Sequence, residues 1–326
     1  QLVVVFHGGE PLLAGAERLA ETSDWIRKAL PATARADFSL QTNGTLLTED
    51  GLRCLAQANI SVSLSLDGPK AANDLHRLGH NGESSFQQSL NALELLERYP
   101  DTYAGLIAVI DPRTPPEKLF EFFAPRSPPR VDFLLPDANH MRPPPGRKAD
   151  PNLFTNWLLR AFDLWFDTYP TLPLRMFDAI LSGVAGIPSD TDSFGFGNVT
   201  LLNIETDGSY HDLDVLKITA DGMTALGCNL QSNSIAEAAA SSQMTAHREL
   251  LNKSGLAHKC QGCPEVEICG GGSVPHRYSE EGFRNPTIYC EEMLALIGHA
   301  RSRMIGALKT ENDFPRSNRI RRSVPI

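Results

Sequence analysis

Four of the six cysteines of this 326-residue chain lie close together near its C-terminal end. They follow the spacing Cys260-x2-Cys263-x5-Cys269, with Cys290 twenty-one positions later. Four thiolates, three of them on one tight loop, can surround one metal centre, because thiolate ligation suits both tetrahedral zinc and iron-sulfur clusters. The spacing alone leaves both open and, taken by itself, favours structural zinc.

Three glycines, Gly270 to Gly272, follow Cys269 directly. Their backbone freedom and amide donors are features that a thiolate-ligated cluster can use. Cys54, in an apolar helical pattern, is predicted to be a core thiol because free cysteine packs as a small hydrophobe. No role is assigned to Cys228.

Polar, glycine-containing segments follow three apolar runs nearer the start of the chain. They are Gly8-Gly9-Glu10-Pro11, Gln41-Thr42-Asn43-Gly44-Thr45 and Ser65-Leu66-Asp67-Gly68-Pro69. A carboxylate with two glycines suits an ammonium ligand, since glycine permits close backbone approach. Taken singly, each has a structural explanation: a chance turn for Gly-Gly-Glu-Pro, a helix cap for Ser65 or Asp67, and a surface salt bridge for Arg77.

The elements that position these segments follow from the hydrophobic pattern. Apolar runs predict strands at 2–6, 37–41, 60–66, 104–110 and 131–135. Amphipathic stretches between them predict helices at about 15–30, 48–58, 83–98 and 116–124. This is the pattern of repeated βα units, so we predict an α/β fold with a parallel sheet. Functional residues of such a sheet gather after the C-terminal strand ends, because those ends share one rim.

The second half of the chain shows weaker periodicity. It predicts a linker at 137–150, a helix at about 152–168, a hairpin around Thr206-Asp207-Gly208, an Ala-rich helix at 234–252 and a final helix at about 291–309. We therefore divide the chain into a sheet domain (1–136), a linker with bridging helices (137–205) and a cysteine-bearing domain (206–326).

Composition limits the classes of partner and compartment. The formal net charge of −9 argues against nonspecific nucleic-acid binding. No apolar stretch approaches the length of a membrane-spanning helix, so no membrane partner is expected. Clustered cysteines without an export signal favour metal binding over disulfides, which predicts a reducing, cytoplasmic location.

The three polar segments together resemble the motifs of the radical S-adenosylmethionine (SAM) enzymes. By that resemblance, Gly8, Gly9, Glu10 and Pro11 hold the methionyl amine of SAM, partly through the glutamate. The resemblance further implies that Thr42 and Asn43 lie near the ribose. Ser65 and Arg77 would contact the SAM carboxylate, with Asp67 in the same motif.

The cysteine block resembles the SPASM domain of peptide- and protein-modifying radical SAM enzymes. The resemblance implies that Cys260, Cys263, Cys269 and Cys290 hold an auxiliary 4Fe-4S cluster, which reverses the preference for zinc. The full SPASM pattern has a further cysteine where this chain has Ser273, and the stretch 210–214 contains none. One auxiliary cluster is therefore expected.

One family motif has no counterpart in this sequence. The catalytic cluster of the family is held by Cys-x3-Cys-x2-Cys after the first barrel strand, and no such triplet occurs here. Since Gly-Gly-Glu-Pro belongs to the second strand, we expect a partial (βα)6 barrel lacking its first strand. We also expect the triplet to be encoded before Gln1 and the fragment to be unable to cleave SAM.

The run from Cys269 to Cys290 resembles the FxsB-like subgroup, whose members and relatives modify ribosomally made precursor peptides. The implied reaction is reductive SAM cleavage, hydrogen abstraction by the 5'-deoxyadenosyl radical and formation of a side-chain cross-link. The electron would come from an external donor such as flavodoxin or ferredoxin.

Two alternatives stay open. An anaerobic sulfatase-maturating enzyme, which forms formylglycine, shares these motifs but normally carries both auxiliary clusters, so Ser273 counts against it. A noncatalytic, zinc-stabilised peptide-binding protein is the other. No catalytic acid or base is assigned, since a lone histidine is more often structural. The histidines considered are His76, His80, His140, His211 and His276.

Overall fold

The computed structural model describes residues 2–79, 81–189, 191, 193–197 and 201–313. Its first half contains a five-stranded parallel sheet in the order β1-β2-β3-β4-β5, which curves as a half-barrel. The strands are β1 (Leu2–Phe6), β2 (Ala36–Thr42), β3 (Ile60–Ser65), β4 (Tyr103–Val109) and β5 (Val131–Leu134). Each predicted strand is confirmed to within one residue at either end.

Alternating side chains give this sheet one apolar and one polar face. In β3, Ile60, Val62 and Leu64 are fully buried, whereas the serines between them are only partly buried. Strand residues alternate between the faces, so the buried set faces the helical layer and the serines line the inner face. A polar inner face is suited to a polar ligand.

Helices cover the apolar face between successive strands. They are α1 (Ala16–Ala29), α2 (Glu49–Gln57), the short α3 (Lys70–Asn73), α4 (Phe86–Leu96) and α5 (Pro116–Phe123). The prediction for 83–98 is wrong at its start, because the Gly79 amide donates to the Glu83 carbonyl at 2.7 Å and closes a turn there. Short α3 was not predicted.

Two longer helices continue the aromatic core beyond the sheet. They are α6 (Leu153–Thr168), predicted within a residue, and α7 (Arg175–Val184), which the sequence pattern did not predict. Phe133 of β5 packs against Trp157 of α6 with ring centroids 5.7 Å apart. Phe120 of α5 packs against Phe133 at 6.1 Å, so α5 and α6 are both fixed to the sheet through large apolar surfaces.

The second half contains a small antiparallel sheet and several short helices. The sheet consists of β6 (Asn203–Ile204), β7 (Ser209–His211) and β8 (Ala225–Asn229). The predicted hairpin at Thr206-Asp207-Gly208 is confirmed, with Gly208 at φ 82°. The helices are α8 (Ile235–Ala239), α9 (Ser242–Leu250), α10 (His258–Gln261), α11 (Val266–Cys269) and α12 (Cys290–Asp313).

The predicted single helix at 234–252 is wrong. The chain breaks it into α8 and α9, because the Ser241 side chain accepts a hydrogen bond from the Met244 amide and starts a new helix. The predicted C-terminal helix is confirmed and runs longer, from Cys290. No helix in the described ranges is both long and apolar enough to cross a membrane.

The linker predicted at 137–150 has no regular structure but is firmly attached to the cysteine-bearing half. The Tyr289 hydroxyl donates to the Pro136 carbonyl at 2.8 Å, and Arg147 pairs with the buried Glu292. Helix α12 also packs on α6 and α7. The two halves therefore share a packed boundary next to the end of β5.

Candidate functional site

Glu10 connects the first two polar segments. Its Oε1 accepts hydrogen bonds from the Leu12 amide at 3.0 Å and the Thr42 hydroxyl at 2.7 Å. Its Oε2 accepts one from the Asn43 amide at 2.9 Å. A carboxylate has about four lone-pair sites, so Glu10 retains capacity for one further donor.

Gly8 and Gly9 border open space beside this carboxylate. Gly8 has φ 103°, a conformation that favours glycine, and Pro11 begins a short 3-10 turn immediately afterwards. A Cβ atom added at Gly8 or Gly9 would meet nothing within 4 Å. The backbone there is accessible to a ligand next to a carboxylate, as an ammonium-bearing group such as SAM requires.

The second segment is fixed by a glycine turn against the helical layer. Gly44 has φ 77°, and a Cβ there would lie 2.5 Å from Leu64 and 2.7 Å from Ala92. The Asn43 side-chain oxygen accepts from the Thr45 amide at 2.9 Å and from its hydroxyl at 2.7 Å. Asn43 is thus held at the strand end with its amide nitrogen still available.

The third segment contains a partly buried ion pair. Arg77 donates to both oxygens of Asp67, at 2.7 and 2.9 Å, and Asp67 also accepts from the Val109 amide at 2.9 Å. Ser65 accepts from the Gln41 side chain at 2.7 Å. Arg77 is therefore more than a surface salt bridge: the pair closes the loop after β3 onto β4.

These contacts place the predicted SAM-contact residues along one rim of the sheet. Glu10 bridges the ends of β1 and β2, and Gln41 bridges β2 to β3 through Ser65. The strands are parallel neighbours, so all three segments follow C-terminal strand ends. Contact with SAM itself stays a prediction for each of these residues.

The four clustered cysteines face one another in the small domain. All are free thiols, and Cys260 interacts electrostatically with Cys263, Cys269 and Cys290. Burial raises the pKa of Cys269 to about 11, while the Gly271 amide donates to its sulfur and opposes that shift. The predicted amide donor of the glycine run is confirmed.

The donor chemistry fits a thiolate-ligated centre, but the geometry is not that of a closed single-ion site. Among the residues that the structure describes, no group of three or more His, Cys, Asp or Glu side chains is arranged to hold one metal ion. A tetrahedral zinc would draw all four sulfurs to about 2.3 Å from one point. Four neighbouring thiols are suitable ligands for either of the two centres that the spacing leaves open.

A cavity of about 180 Å³ lies where the two halves meet. It is bounded by the end of β5, the start of α7 and the loops of the cysteine-bearing domain, and Ser273, His276 and Tyr289 contribute to its wall. Burial lowers the pKa of His276 to about 4, so this imidazole is neutral at pH 7. Burial, together with nearby Asp214, raises the pKa of Asp137, which also lines the cavity.

The other histidines considered have structural partners. His76 contacts Asp111 at 2.7 Å, His140 contacts the Pro286 carbonyl at 2.8 Å, and His211 contacts Thr224 at 2.8 Å. His80 lies outside the described residues. None of these contacts indicates a catalytic acid or base.

Comparison with known proteins agrees with this geometry. Residues 2–122 match the model of the Radical SAM superfamily. The match contains all three polar segments of the rim.

The similarity extends over nearly the whole chain. A Cysteine-type anaerobic sulfatase-maturating enzyme of Clostridium novyi (strain NT) is 28% identical over 94% of this chain and 82% of that protein. A second Cysteine-type anaerobic sulfatase-maturating enzyme, from Clostridium perfringens (strain 13 / Type A), is 26% identical over 92% of this chain and 81% of that protein.

Solved structures show the same fold. Native anSMEcpe with bound AdoMet has a TM-score of 0.81 at 25% identity, covering 95% of this chain and 85% of that one. Native anSMEcpe with bound AdoMet and Kp18Cys peptide has a TM-score of 0.80 at 24% identity, covering 94% of this chain and 85% of that one. The predicted α/β fold with a small C-terminal domain agrees with these structures.

The finer predictions are not supported by these comparisons. The matches are to sulfatase-maturating enzymes and lend no support to the FxsB-like subgroup. The superfamily match, which begins at residue 2, does not support the prediction of a truncated barrel or of an inactive fragment.

Sequence reasoning did not assign a role to Arg277, which lies beside the cysteines. It lies within the run from Cys269 to Cys290, between His276 and Tyr278 and five residues after the last of the three glycines.

Proposed function

We propose that this protein is a radical SAM enzyme that oxidises a cysteine or serine side chain of a peptide substrate to formylglycine. The observation that carries the proposal is similarity to sulfatase-maturating enzymes over both the SAM-type rim and the cysteine-bearing half. The predicted alternative is thus favoured over peptide cross-linking.

In this proposal the rim residues bind and orient SAM. Glu10 accepts a hydrogen bond from the SAM ammonium, and Gly8, Gly9 and Pro11 give it backbone room. Thr42 and Asn43 lie beside the ribose. Ser65 and Arg77 contact the carboxylate of SAM, with Arg77 held in place by Asp67. When bound and reduced by one electron from an external donor, SAM would lose methionine and supply a 5'-deoxyadenosyl radical, which would take one hydrogen atom from the substrate side chain. The substrate radical would then give one electron to the auxiliary cluster and lose a proton, and for a cysteine substrate water would release the sulfur as sulfide.

The four cysteines hold one auxiliary 4Fe-4S cluster. Their thiol chemistry and mutual interactions support this assignment. After anaerobic reconstitution, residues 1–326 should bind about four irons. One zinc per chain without labile sulfide would contradict the cluster.

The cavity between the halves is the proposed position of a substrate side chain. It lies at the end of β5, on the same rim as the SAM-contact residues, and it borders the cysteine-bearing loops. Its mixed wall of apolar side chains with Asp137, Ser273 and His276 suits a peptide more than a charged metabolite. The peptide would reach it along the groove between the halves.

Peptide cross-linking is the second candidate function. The observation that favours it is Ser273, which stands where the SPASM pattern of sulfatase maturases has a cysteine, together with the absence of cysteine from 210–214. A noncatalytic binding protein is not favoured by any contact in the rim. Cytoplasmic location and a flavodoxin or ferredoxin electron donor stay predictions.

Mass spectrometry of peptide products tests the proposal. The protein, expressed from its complete gene and reconstituted anaerobically, is incubated with SAM, a reductant and sulfatase-derived peptides containing cysteine or serine at the target position. Formylglycine in either peptide supports the proposal. Unmodified sulfatase peptides alongside loss of two hydrogens from a peptide encoded beside the gene would instead support cross-linking.

A further inference from the structure

Arg277 is a fully buried cation in the cysteine-bearing domain. Only 1% of its surface is exposed, and it is among the largest fully buried side chains of the described residues. Burial lowers its pKa to about 10, so the guanidinium is still charged at pH 7. The titratable groups that act on it are the thiols of Cys269 and Cys260, and no carboxylate of the described structure is among them.

The guanidinium is held by backbone carbonyls. Its Nε donates to the Gly271 carbonyl at 3.0 Å and its Nη1 to the Leu250 carbonyl at 2.8 Å. Its Nη2 donates to the Gly270 carbonyl at 3.0 Å and also to the Gly272 carbonyl. Neutral carbonyls satisfy the hydrogen bonds of Arg277 but leave its charge without a counter-ion.

The glycine run connects this cation to the cysteine sulfurs. Gly270, Gly271 and Gly272 have φ values of 60°, 79° and 68°, which only glycine adopts readily in succession. Their carbonyls accept from Arg277, while the Gly271 amide donates to the Cys269 sulfur. Any added Cβ at Gly271 would lie 3.2 Å from the guanidinium carbon, so the packing requires glycine.

A buried charge without a partner is strongly unfavourable. Neutral thiols do not supply the missing negative charge, whereas thiolates bound to an iron-sulfur centre do. We propose that Arg277 is the counter-cation of the auxiliary cluster, a positioning residue that holds the glycine loop around Cys269 and raises the reduction potential of the cluster. The inference rests on the cluster site of the proposed function.

The direction of the effect follows from electrostatics. Reduction adds negative charge to the cluster, and a nearby cation in a low-dielectric surrounding stabilises the more negative state. Removing the charge should therefore favour the oxidised cluster. A structural role alone would alter cluster loading without moving its potential.

The test is a redox titration of reconstituted protein followed by electron paramagnetic resonance, with iron and sulfide analysis on each sample. Arg277→Gln removes the charge and Arg277→Lys keeps it. Arg303→Gln is the control. Arg303 lies on α12, thirteen residues or roughly 20 Å from Cys290 at 1.5 Å per helical residue, and it pairs with Asp163 of α6.

The expected result is a lower reduction potential for the cluster of Arg277→Gln. The ratio of reduced to oxidised cluster should fall at least tenfold, which corresponds to about 59 mV for one electron. The reduction potential of the Arg277→Lys cluster should stay near that of the parent protein, and the potential of Arg303→Gln should equal it. A loaded Arg277→Gln protein with the parent potential would overturn the inference.

A second variant covers the case in which Arg277→Gln does not fold. Gly271→Ala presses a methyl group against the guanidinium, so it displaces the charge from the sulfurs without removing it. A lower potential again supports the inference, and an unchanged one overturns it. If the parent protein binds no iron, the cluster assignment of the proposed function fails instead.

Discussion

Replacing Glu10 with Gln tests the ammonium site with little change of shape. Glu10 accepts three hydrogen bonds, from the Leu12 amide, the Thr42 hydroxyl and the Asn43 amide. Gln keeps one oxygen and replaces the other with an NH2 group. At least one of the three donors then faces another donor, and the side chain no longer carries the charge that attracts an ammonium.

The cost can be worked out from these contacts. An unpaired buried donor costs about 1–3 kcal/mol, and the lower end applies because Glu10 is only half-buried. We therefore expect the free energy of unfolding to fall by about 1–2 kcal/mol. Loss of a charge-assisted bond to SAM, worth about 1.5–3 kcal/mol, should weaken SAM binding about 10- to 150-fold.

The assay is equilibrium dialysis of SAM against anaerobically reconstituted protein, paired with urea unfolding. Thr42→Val is the matched variant, since it removes one donor to Glu10 but leaves the carboxylate, so stability should fall with a smaller effect on SAM. Exposed Glu21→Gln should change neither quantity. An unchanged SAM dissociation constant in Glu10→Gln, with the expected loss of stability, would refute the ammonium site.

Three further predictions concern other parts of the molecule. Arg77→Lys should lower the free energy of unfolding by about 1 kcal/mol, because lysine cannot make the bidentate bond to Asp67, and an unchanged urea midpoint would contradict this. Cys269→Ala should abolish iron binding and loosen the local fold, whereas Cys54→Ala should leave the iron content unchanged. An iron content in Cys269→Ala equal to that of the parent protein would exclude Cys269 as a ligand. His276 has a pKa near 4 in the folded protein, below the unfolded value of about 6.5. The unfolded state therefore binds more protons between these values, and stability should fall as pH drops through that window. His276→Gln should flatten this part of the pH profile, and an unaltered slope would contradict it.

The parallel sheet was predictable because its signal is local. Apolar runs of four to seven residues determine the strands, and the glycine turns after the first three of them indicate the rim. The break in the predicted helix at 234–252 could not be predicted, because the Ala-rich stretch satisfies helical periodicity on both sides of Ser241. Only the hydrogen bond from the Met244 amide to that serine shows the break.

The residue types of the candidate site were predictable from the sequence, but the hydrogen bonds between them were not. The motif identified Glu10, but no pattern in the sequence shows that its carboxylate bridges to Thr42 and Asn43 across a separation of more than thirty residues. Arg277 was missed for the same reason. Its burial and its carbonyl partners depend on tertiary packing of a loop that only the folded chain reveals.

In the proposed reaction, a radical derived from SAM removes a hydrogen from the target residue of a peptide. The most direct measurement uses a cysteine-containing sulfatase peptide deuterated at the β-carbon of the target residue, incubated with SAM, reductant and the protein expressed from its complete gene. The account predicts formylglycine in the peptide and deuterium in the 5'-deoxyadenosine released. Aldehyde formation with unlabelled 5'-deoxyadenosine, or reduction of SAM with no change in any peptide, would contradict it.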